Sequence, residues 1–270
     1  MPSEFAQKII TIAQEAGKIL LSHYKNKISI DYKGGDAFDP VTVADREADD
    51  FIRSEILKLF PQDSVLSEEN ENIPTDYSKR IWMVDPLDGT KEFINETGGF
   101  AVNIGLWANH AIQLGVIWAP VFERLFFAER GQGAFERMSY GNYKQLHVSN
   151  VSNLEDVRLL TRTANKERRP LDGVVEQLEV KEKDSSSKIK ICRIACGEAD
   201  AHLNTNFRIS KWDTLGSQLI LEEAGGVVTD IYGKPLDYEQ ADLRWKHSFI
   251  AANNKTVLNQ IVEVSKKVAL

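Results

Sequence analysis

Two carboxylates, a proline, a glycine and a hydroxyl are grouped in the segment DPLDGT, residues 85–90. Oxygen ligands of this kind suit Mg²⁺, which binds a few carboxylates together with waters and phosphate oxygens. Pro86 fixes one backbone dihedral angle, so a tight turn could direct Asp85, the Leu87 carbonyl and Asp88 towards one point. The segment therefore has the composition of a metal site.

The end of the same segment could contact a phosphate. Gly89 and Thr90 offer unhindered backbone amide groups to a phosphate oxygen. The pattern Asp-x-x-Asp-Gly is nevertheless common as an ordinary turn, because aspartate and glycine both favour turn conformations. Taken alone, the segment is better explained as a turn.

Other carboxylates stand at the ends of apolar runs, where sites in α/β proteins are usually assembled. Glu68 and Glu69 follow SVLS, Asp45 follows Thr42 by three positions, and Asp213 begins a helical pattern. Each has a structural explanation as well. Asp45 could complete a capping box with Thr42, Asp213 could be an N-cap, and the glutamates could form a solvated corner.

Composition excludes several classes of function. Lys and Arg total 33 against 40 Asp and Glu, a formal net charge of -7, so a nucleic-acid polymer is not an expected partner. No apolar stretch reaches the roughly 18 residues of a membrane span, and MPSEFAQKII lacks the pattern of a signal peptide, so we expect a cytoplasmic protein. The motifs GxxxxGK[ST] and GxSxG are absent.

Cys192 and Cys196 lack partners for a zinc site and are predicted to be free buried thiols.

The elements that must position the carboxylates begin with two helices. Apolar residues recur at spacings of three and four over residues 3–24, with Ser3 available as the N-cap. A second helix is predicted from about Thr42 to Phe60, where Pro61 stops it. Two helices therefore precede the first predicted strand.

From residue 64 the pattern changes to short apolar and alternating runs, which predict a largely antiparallel sheet. These runs are SVLSEE, IWMVD, FAVNIGLWA, AIQLGVIWAP and RLFFAER. The second half predicts strands at VRLLTRT, KIKICRI, GVVTDI and HSFIAAN, and helices near 166–180, from Asp213 to Ala224 and from Asn254. We place a boundary near residue 152, between an N-terminal lobe (1–152) with most candidate ligands and a C-terminal lobe (153–270) with Asp213.

Taken together and in order, four segments strongly resemble the signature regions of the inositol monophosphatase superfamily. They are DPVTVADREAD (39–49), LSEEN (66–70), WMVDPLDGTKEF (82–93) and WDTLGSQLILEEAGG (212–226). The resemblance extends over nearly the whole chain and implies a Mg²⁺-dependent, lithium-sensitive phosphatase. It also implies the fold class, an α/β (α+β) layered αβαβα sandwich of the inositol monophosphatase and fructose-1,6-bisphosphatase type, with two sheets and flanking helices.

The resemblance further implies roles for individual residues of these motifs. Two or three Mg²⁺ ions would be bound by Glu68, Asp85, the Leu87 carbonyl, Asp88 and Asp213. Asp45 and Thr90 would serve the attacking water, with Asp45 accepting a hydrogen bond from the Thr90 hydroxyl and Glu68 helping to orient the water. The substrate would contact Glu68, Leu87, Asp88, Gly89, Thr90 and Asp213.

Within the superfamily, three segments look most like 3'(2'),5'-bisphosphate nucleotidases of the CysQ type. They are DPLDGTKEF, VNIGLWANHAIQLGVIWAPVFERLFFAERGQGAF and SSSKIKICRIACGEAD. Those enzymes of sulfur metabolism convert 3'-phosphoadenosine 5'-phosphate to AMP. They usually carry Ser-Arg-Ser-His in the strand that opens the second lobe, whereas this chain has Thr161-Arg162-Thr163-Ala164.

Ser187 and Lys188 are candidates for holding a second phosphate, because a hydroxyl and an ammonium group at a loop end suit that task. The alternative is an exposed loop. For the whole chain, a bisphosphate nucleotidase is the leading prediction. Inositol phosphate, histidinol phosphate or fructose bisphosphate would require the same chemistry, and a non-catalytic binding protein of this fold is the third possibility. The resemblance also implies a homodimer.

Overall fold

The computed structural model describes residues 1–26, 30–32, 40–70, 73–74, 76–138, 141–161, 172–178, 189–204 and 209–268. The helices are α1 (Glu4–His23), α2 (Val43–Leu59), α3 (Thr90–Ile94), α4 (Asp172–Gln177), α5 (Lys190–Ala195), α6 (Lys211–Glu223) and α7 (Lys255–Val268). The first strands are β1 (Ile30–Tyr32), β2 (Pro40–Thr42), β3 (Ser64–Ser67), β4 (Ile81–Asp88), β5 (Ala101–Ala108), β6 (Ala111–Ala119) and β7 (Arg124–Glu129). The remaining strands are β8 (Gly133–Arg137), β9 (Tyr143–Gln145), β10 (Leu159–Leu160), β11 (Ala201–Leu203), β12 (Val227–Asp230) and β13 (Phe249–Ala252).

The two N-terminal helices begin and end where the sequence predicts. Ser3 caps α1 by accepting a hydrogen bond from the Ala6 amide at 3.1 Å. Thr42 caps α2 in the same way, through the Ala44 amide at 3.2 Å. Helix α2 ends at Leu59, directly before Phe60 and Pro61, because proline cannot continue the hydrogen-bonding pattern of a helix.

The larger sheet has seven strands in the order β3-β4-β5-β6-β7-β8-β9. All neighbouring pairs are antiparallel except β3 and β4, which are parallel. The prediction of a largely antiparallel sheet is therefore confirmed. Strands β8 and β9, which complete it, were not predicted.

Helices cover both faces of this sheet, because strand residues alternate between two apolar cores. On one face, Val84 and Ile104 pack with Ile9 of α1 and Ile52 of α2. The residues that alternate with them, such as Met83, belong to a second core with α5 and α6. Helix α6 thus lies against the inner face of the larger sheet.

The smaller sheet has the order β10-β11-β13-β12 and forms the next layer. Val228 and Ala251 share the core of α5 and α6, whereas Ile250 faces Val257 and Ile261 of α7. The layers run helix, sheet, helix, sheet, helix, which confirms the αβαβα sandwich with its two sheets and flanking helices. The described residues also contain a two-stranded antiparallel ribbon of β1 and β2, which was not predicted.

The prediction of a strand at KIKICRI is wrong, because Lys190–Ala195 forms helix α5. The alternation of Ile189 and Ile191 is too short to separate a strand from a helix. Ile191, Cys192, Ile194 and Ala195 are all buried, at the spacing of one helical face. In VRLLTRT, only Leu159–Leu160 pairs in the sheet among the described residues. For the predicted helix at 166–180, Asp172–Gln177 is helical and residues 166–171 lie outside the described ranges.

The proposed lobe boundary near residue 152 stays a prediction, and it falls between β9 of the larger sheet and β10 of the smaller one. Cys192 and Cys196 are free thiols, but only Cys192 is fully buried. Burial raises the pKa of Cys196 to about 12, so this thiol is protonated at neutral pH. None of the helices described is both long and apolar enough to cross a bilayer.

Candidate active site

The segment DPLDGT lies at the end of β4, where the pairing with β5 shifts register between Asp85 and Asp88. Pro86 cannot donate a hydrogen bond into the ladder, so a bulge at this point is the expected local structure. The Leu87 amide donates to Asp85 Oδ1 at 3.0 Å. Gly89, with φ +104°, then turns the chain into α3. A bulged strand end and one left-handed glycine therefore replace the predicted tight turn.

Three carboxylates from separate elements converge beside this bulge. One oxygen each of Glu68, Asp85 and Asp213 lies within 4.8 Å of the other two. Glu68 follows β3, which runs parallel to β4, so the carboxyl ends of the two strands lie at the same edge of the sheet. The Glu68 amide donates to the Val84 carbonyl at 3.1 Å. Asp213 comes from the first turn of α6 on the inner face of the sheet. We call Glu68, Asp85 and Asp213 the acidic cluster.

The electrostatics of the acidic cluster favour a bound cation. Burial raises the pKa of Asp85 well above its ordinary value, and the charges of Glu68, Asp88 and Asp213 raise this pKa further. Asp213 also shares a hydrogen bond with Asp85 that favours the protonated acid. A positive ion would offset this repulsion, and carboxylate oxygens are the ligands that Mg²⁺ accepts.

Asp45 and Thr90 form a second group next to the acidic cluster. Thr90 Oγ1 donates to Asp45 Oδ1 at 3.2 Å, and it lies 3.5 Å from the Leu87 carbonyl oxygen. The other carboxylate oxygen of Asp45 accepts from Thr42, from the amide at 2.8 Å and from the hydroxyl at 2.6 Å. Asp45 is thus part of a helix cap and also a partner of Thr90, so the two explanations given by the sequence apply together.

Asp45 is buried and can still be ionised at neutral pH. Burial is the main reason why its pKa rises to about 6, and the nearby charge of Glu68 adds to this effect. The hydrogen bonds from Thr42 and Thr90 act in the opposite direction, because they stabilise the carboxylate. The charge of Glu68 raises the pKa of both Asp45 and Asp85, so this member of the acidic cluster couples the cluster to Asp45.

Neighbouring contacts hold the cluster residues in place. The Ser67 hydroxyl, one residue before Glu68, donates to buried Asp49 of α2. Asp49 also accepts from Arg53 at 2.7 Å. The Ser210 amide donates to Asp213 at 2.7 Å, which fixes one oxygen of that carboxylate at the start of α6. The contact of Ser210 limits the rotation of the Asp213 carboxylate, whereas the contact of Ser67 connects the chain next to Glu68 to α2.

Two buried polar residues near the site were missed by sequence reasoning. Asn103 of β5 donates from Nδ2 to Asp88 Oδ2 at 3.2 Å. Lys211 is fully buried and donates to the Tyr77 hydroxyl at 2.9 Å and the Gln240 carbonyl at 2.5 Å. Burial lowers the pKa of Lys211 to about 8. A single asparagine inside the apolar run FAVNIGLWA could have indicated a functional position at Asn103. For Lys211, at the start of a helix, the sequence gave no indication of burial.

The predicted site residues are therefore distributed as follows. The structure brings together the acidic cluster, Asp88 beside Asp85, and the Thr90 group with Asp45, the Leu87 carbonyl and Gly89. The predicted hydrogen bond from Thr90 to Asp45 is present. Ser187, Lys188 and the positions 162–164 lie outside the described residues.

The chain is similar to known proteins over nearly its whole length. The model of the inositol monophosphatase family matches residues 1–268. The chain is 30% identical over 257 residues to the 3'(2'),5'-bisphosphate nucleotidase CysQ of Aggregatibacter actinomycetemcomitans, covering 94% of this chain and 92% of that protein. It is 29% identical over 268 residues to human inositol monophosphatase 1, covering 94% and 91%. The solved structure of the extragenic suppressor protein suhB from Bartonella henselae superimposes with a TM-score of 0.84 at 30% identity, covering 98% and 99%.

Proposed function

The chain belongs to the inositol monophosphatase family and is a phosphatase of that family, and we propose that it is a Mg²⁺-dependent 3'(2'),5'-bisphosphate nucleotidase. The proposed reaction converts 3'-phosphoadenosine 5'-phosphate and water to AMP and phosphate. The observation that supports metal-dependent hydrolysis is the convergence of Glu68, Asp85 and Asp213 within 4.8 Å. Enzymes of the inositol monophosphatase family generally depend on metal ions.

The donor set fits Mg²⁺. It consists of hard oxygen atoms, and the buried Asp85 carboxyl carries repulsion from three neighbouring acids that a cation would relieve. The proposed ligands are Glu68, Asp85, the Leu87 carbonyl, Asp88 and Asp213. When bound, Mg²⁺ supplies positive charge that lowers the pKa of a water and offsets the negative charge of the phosphate.

The protein groups proposed to act on the water are Thr90 and Asp45. Ionised Asp45 accepts a hydrogen bond from the Thr90 hydroxyl, which leaves the lone pairs of the Thr90 oxygen available to accept a proton from the water. As the water oxygen attacks phosphorus, its proton passes to Thr90 Oγ1, and the Thr90 proton passes to Asp45. The ester P–O bond breaks, the leaving oxygen takes up a proton from a solvent water to become the hydroxyl of AMP, and Asp45 returns its proton to solvent, so no proton is gained or lost overall. Glu68 helps to orient the water, and the Gly89 and Thr90 amides contact the phosphate.

The preference for a bisphosphorylated nucleotide is supported by the CysQ-like segments of the sequence and by the relative that is 30% identical. Human inositol monophosphatase 1 is 29% identical over a similar span, so inositol phosphate is an alternative substrate. Histidinol phosphate and fructose bisphosphate are further alternatives, because they require the same chemistry. Ser187 and Lys188 are proposed to contact the second phosphate. A homodimer and a cytoplasmic location remain predictions.

The proposal is tested by measuring phosphate release with Mg²⁺ from four substrates, with and without Li⁺. They are 3'-phosphoadenosine 5'-phosphate, inositol 1-phosphate, histidinol phosphate and fructose 1,6-bisphosphate. We expect the highest kcat/KM for the bisphosphorylated nucleotide, and inhibition by Li⁺. The variant Asp85→Asn serves as the control for contaminating phosphatases. A preference for another substrate would overturn the nucleotidase assignment, and no release from any substrate would overturn the assignment as an enzyme.

A further inference from the structure

Asn103 is a polar residue in the middle of a buried strand. Only 3% of its surface is exposed, and its neighbours in β5 are apolar. It pairs with Asp85 across the antiparallel ladder, so the two side chains lie on the same face of the sheet. Gly105 is two residues further on that face, and a Cβ added to it would lie 2.4 Å from the Leu215 side chain of α6. Asn103 therefore lies beneath the acidic cluster, on the face that α6 covers.

The carboxamide of Asn103 is used on one side only. Nδ2 donates to Asp88 Oδ2 at 3.2 Å, whereas Oδ1 is buried and has no hydrogen-bond partner among the described residues. Rotating the amide by 180° would place Oδ1 against the Asp88 carboxylate, and two acceptors repel each other. The orientation of the amide is therefore set by Asp88, and it leaves a buried acceptor unpaired.

A purely structural role does not explain this arrangement. An unpaired buried acceptor destabilises a fold, and an apolar side chain of similar size would remove it. The residues that pair with this position across the next two strands form the same row of the sheet. They are Ile117 of β6 and then Phe126 of β7, both apolar and buried. The feature that Asn103 adds to this row is a hydrogen-bond donor facing Asp88.

We propose that Asn103 is a positioning residue for cation binding: its amide group holds one oxygen of Asp88 and thereby fixes the rotation of a carboxylate assigned to the cation site of the acidic cluster. This inference rests on the proposed function, because it assigns Asp88 to the metal site. Residues that hydrogen-bond to metal ligands restrict the rotation of those ligands, and their loss typically weakens metal affinity by about 10- to 100-fold.

The test compares Asn103→Leu with the matched control Ile117→Val, a substitution in the same buried row. Mn²⁺ binding is measured from the loss of the free-ion electron paramagnetic resonance signal, and thermal unfolding is followed with and without Mg²⁺. We expect Asn103→Leu to weaken Mn²⁺ binding by about tenfold or more and to reduce the rise in Tm caused by Mg²⁺. Its metal-free Tm should equal or exceed that of the wild type, because the unpaired acceptor is gone. Ile117→Val should lower the metal-free Tm and leave Mn²⁺ affinity unchanged.

A structural role predicts the opposite pattern. A metal-free Tm that falls in Asn103→Leu, with Mn²⁺ affinity within about twofold of the wild type, would overturn the inference. If Asn103→Leu does not fold, Asn103→Ala removes the same donor and is judged by Mn²⁺ affinity alone, because the cavity it leaves lowers the Tm by itself. A wild-type protein that binds Mn²⁺ but releases no phosphate would overturn the proposed function alone, since the binding comparison still decides the role of Asn103. Absence of Mn²⁺ binding in the wild type would overturn both.

Discussion

Thr90 Oγ1 donates a hydrogen bond to Asp45 Oδ1 at 3.2 Å, although the two residues are 45 positions apart in the chain. The contact joins the first residue of α3 to the first turn of α2. Because Thr42 holds the other oxygen of Asp45, the carboxylate cannot rotate away from Thr90. The pair is therefore fixed before any substrate binds.

Replacing Thr90 with valine should abolish most of the activity. Valine keeps the branched shape of threonine but removes the hydroxyl that donates to Asp45 and would accept a proton from water. We expect kcat to fall by about 100-fold or more with little change in KM, as is typical when a general-base group is lost. Steady-state phosphate release measures both constants. Thr90→Ser keeps the hydroxyl and should retain most activity; equal rates in the wild type and Thr90→Val would contradict the role of Thr90.

Activity should decrease as the pH falls through about 6, because Asp45 becomes protonated and can no longer accept a proton. Bound cations favour the ionised form, so the midpoint of this decrease lies at or below pH 6 when Mg²⁺ is saturating. The same protonation of Asp85 should increase the Mg²⁺ concentration needed for half-maximal rate at acid pH. A pH profile of kcat/KM at several Mg²⁺ concentrations tests both effects. A rate that is independent of pH down to about pH 4 would exclude Asp45 as the base.

The raised pKa of Asp45 also predicts how the stability of the metal-free protein depends on pH. The folded state keeps this proton up to about pH 6, whereas the unfolded chain loses it near 3.8. The folded state therefore binds more protons in this window, and the free energy of unfolding falls as the pH rises from 3.8 to about 6. The loss is on the order of 3 kcal/mol for Asp45. In Asp45→Asn this part of the pH dependence should disappear, as measured by urea denaturation; parallel curves for the two proteins would show that the carboxyl does not titrate there.

Asp85→Asn and Asp213→Asn should lose metal binding and turnover together, because each substitution removes a negative ligand from the acidic cluster. We expect at least a ~100-fold loss of rate, and loss of the Tm increase caused by Mg²⁺. The metal-free Tm of Asp85→Asn should not fall, since repulsion within the cluster is reduced. Asp50→Asn, at an exposed acid of α2, is the control for the substitution itself. Wild-type turnover with unchanged Mg²⁺ dependence in either variant would exclude that ligand.

Much of the fold could be predicted because its signals are local. Ser3, Thr42 and Pro61 mark helix ends through their own backbone chemistry, and β4 to β7 are long enough for their apolar runs to be recognised. The αβαβα arrangement came from the resemblance, which the family match confirms. Helix α5 was mistaken for a strand, because a short run with alternating isoleucines satisfies both patterns.

The parts of the site that could not be predicted depend on register and burial. The contact of Asn103 with Asp88 exists because β5 pairs with β4 in one register and the ladder is interrupted by a bulge. Lys211 is buried because Tyr77 and Gln240 from distant segments meet at the start of α6. Neither contact corresponds to a recognisable spacing of residues in the sequence. Both contacts therefore become visible only when the strands and helices are packed together.

The close packing of α6 on the larger sheet gives a final prediction, with a matched pair of variants. A Cβ at Gly115 would lie 2.2 Å from the Gly216 carbonyl oxygen, which belongs to the helix backbone. A Cβ at Gly105 would lie 2.4 Å from a methyl group of Leu215 and 3.1 Å from the Gly216 backbone nitrogen, so its closest contact is a side chain. Gly115→Ala should therefore displace α6 itself, whereas Gly105→Ala should mainly move one side chain.

Because Asp213 lies in the first turn of α6, the displacement should reach the acidic cluster. We expect Gly115→Ala to lower the free energy of unfolding by about 1–3 kcal/mol and also to weaken Mg²⁺ binding. Gly105→Ala should lose stability with a smaller change in Mg²⁺ affinity, since its backbone contact with α6, at 3.1 Å, demands a much smaller shift of the helix than the 2.2 Å contact of Gly115. Urea denaturation and calorimetric titration with Mg²⁺ measure the two quantities. Equal Mg²⁺ affinity in the two variants would mean that the position of Asp213 does not depend on the contact between Gly115 and Gly216.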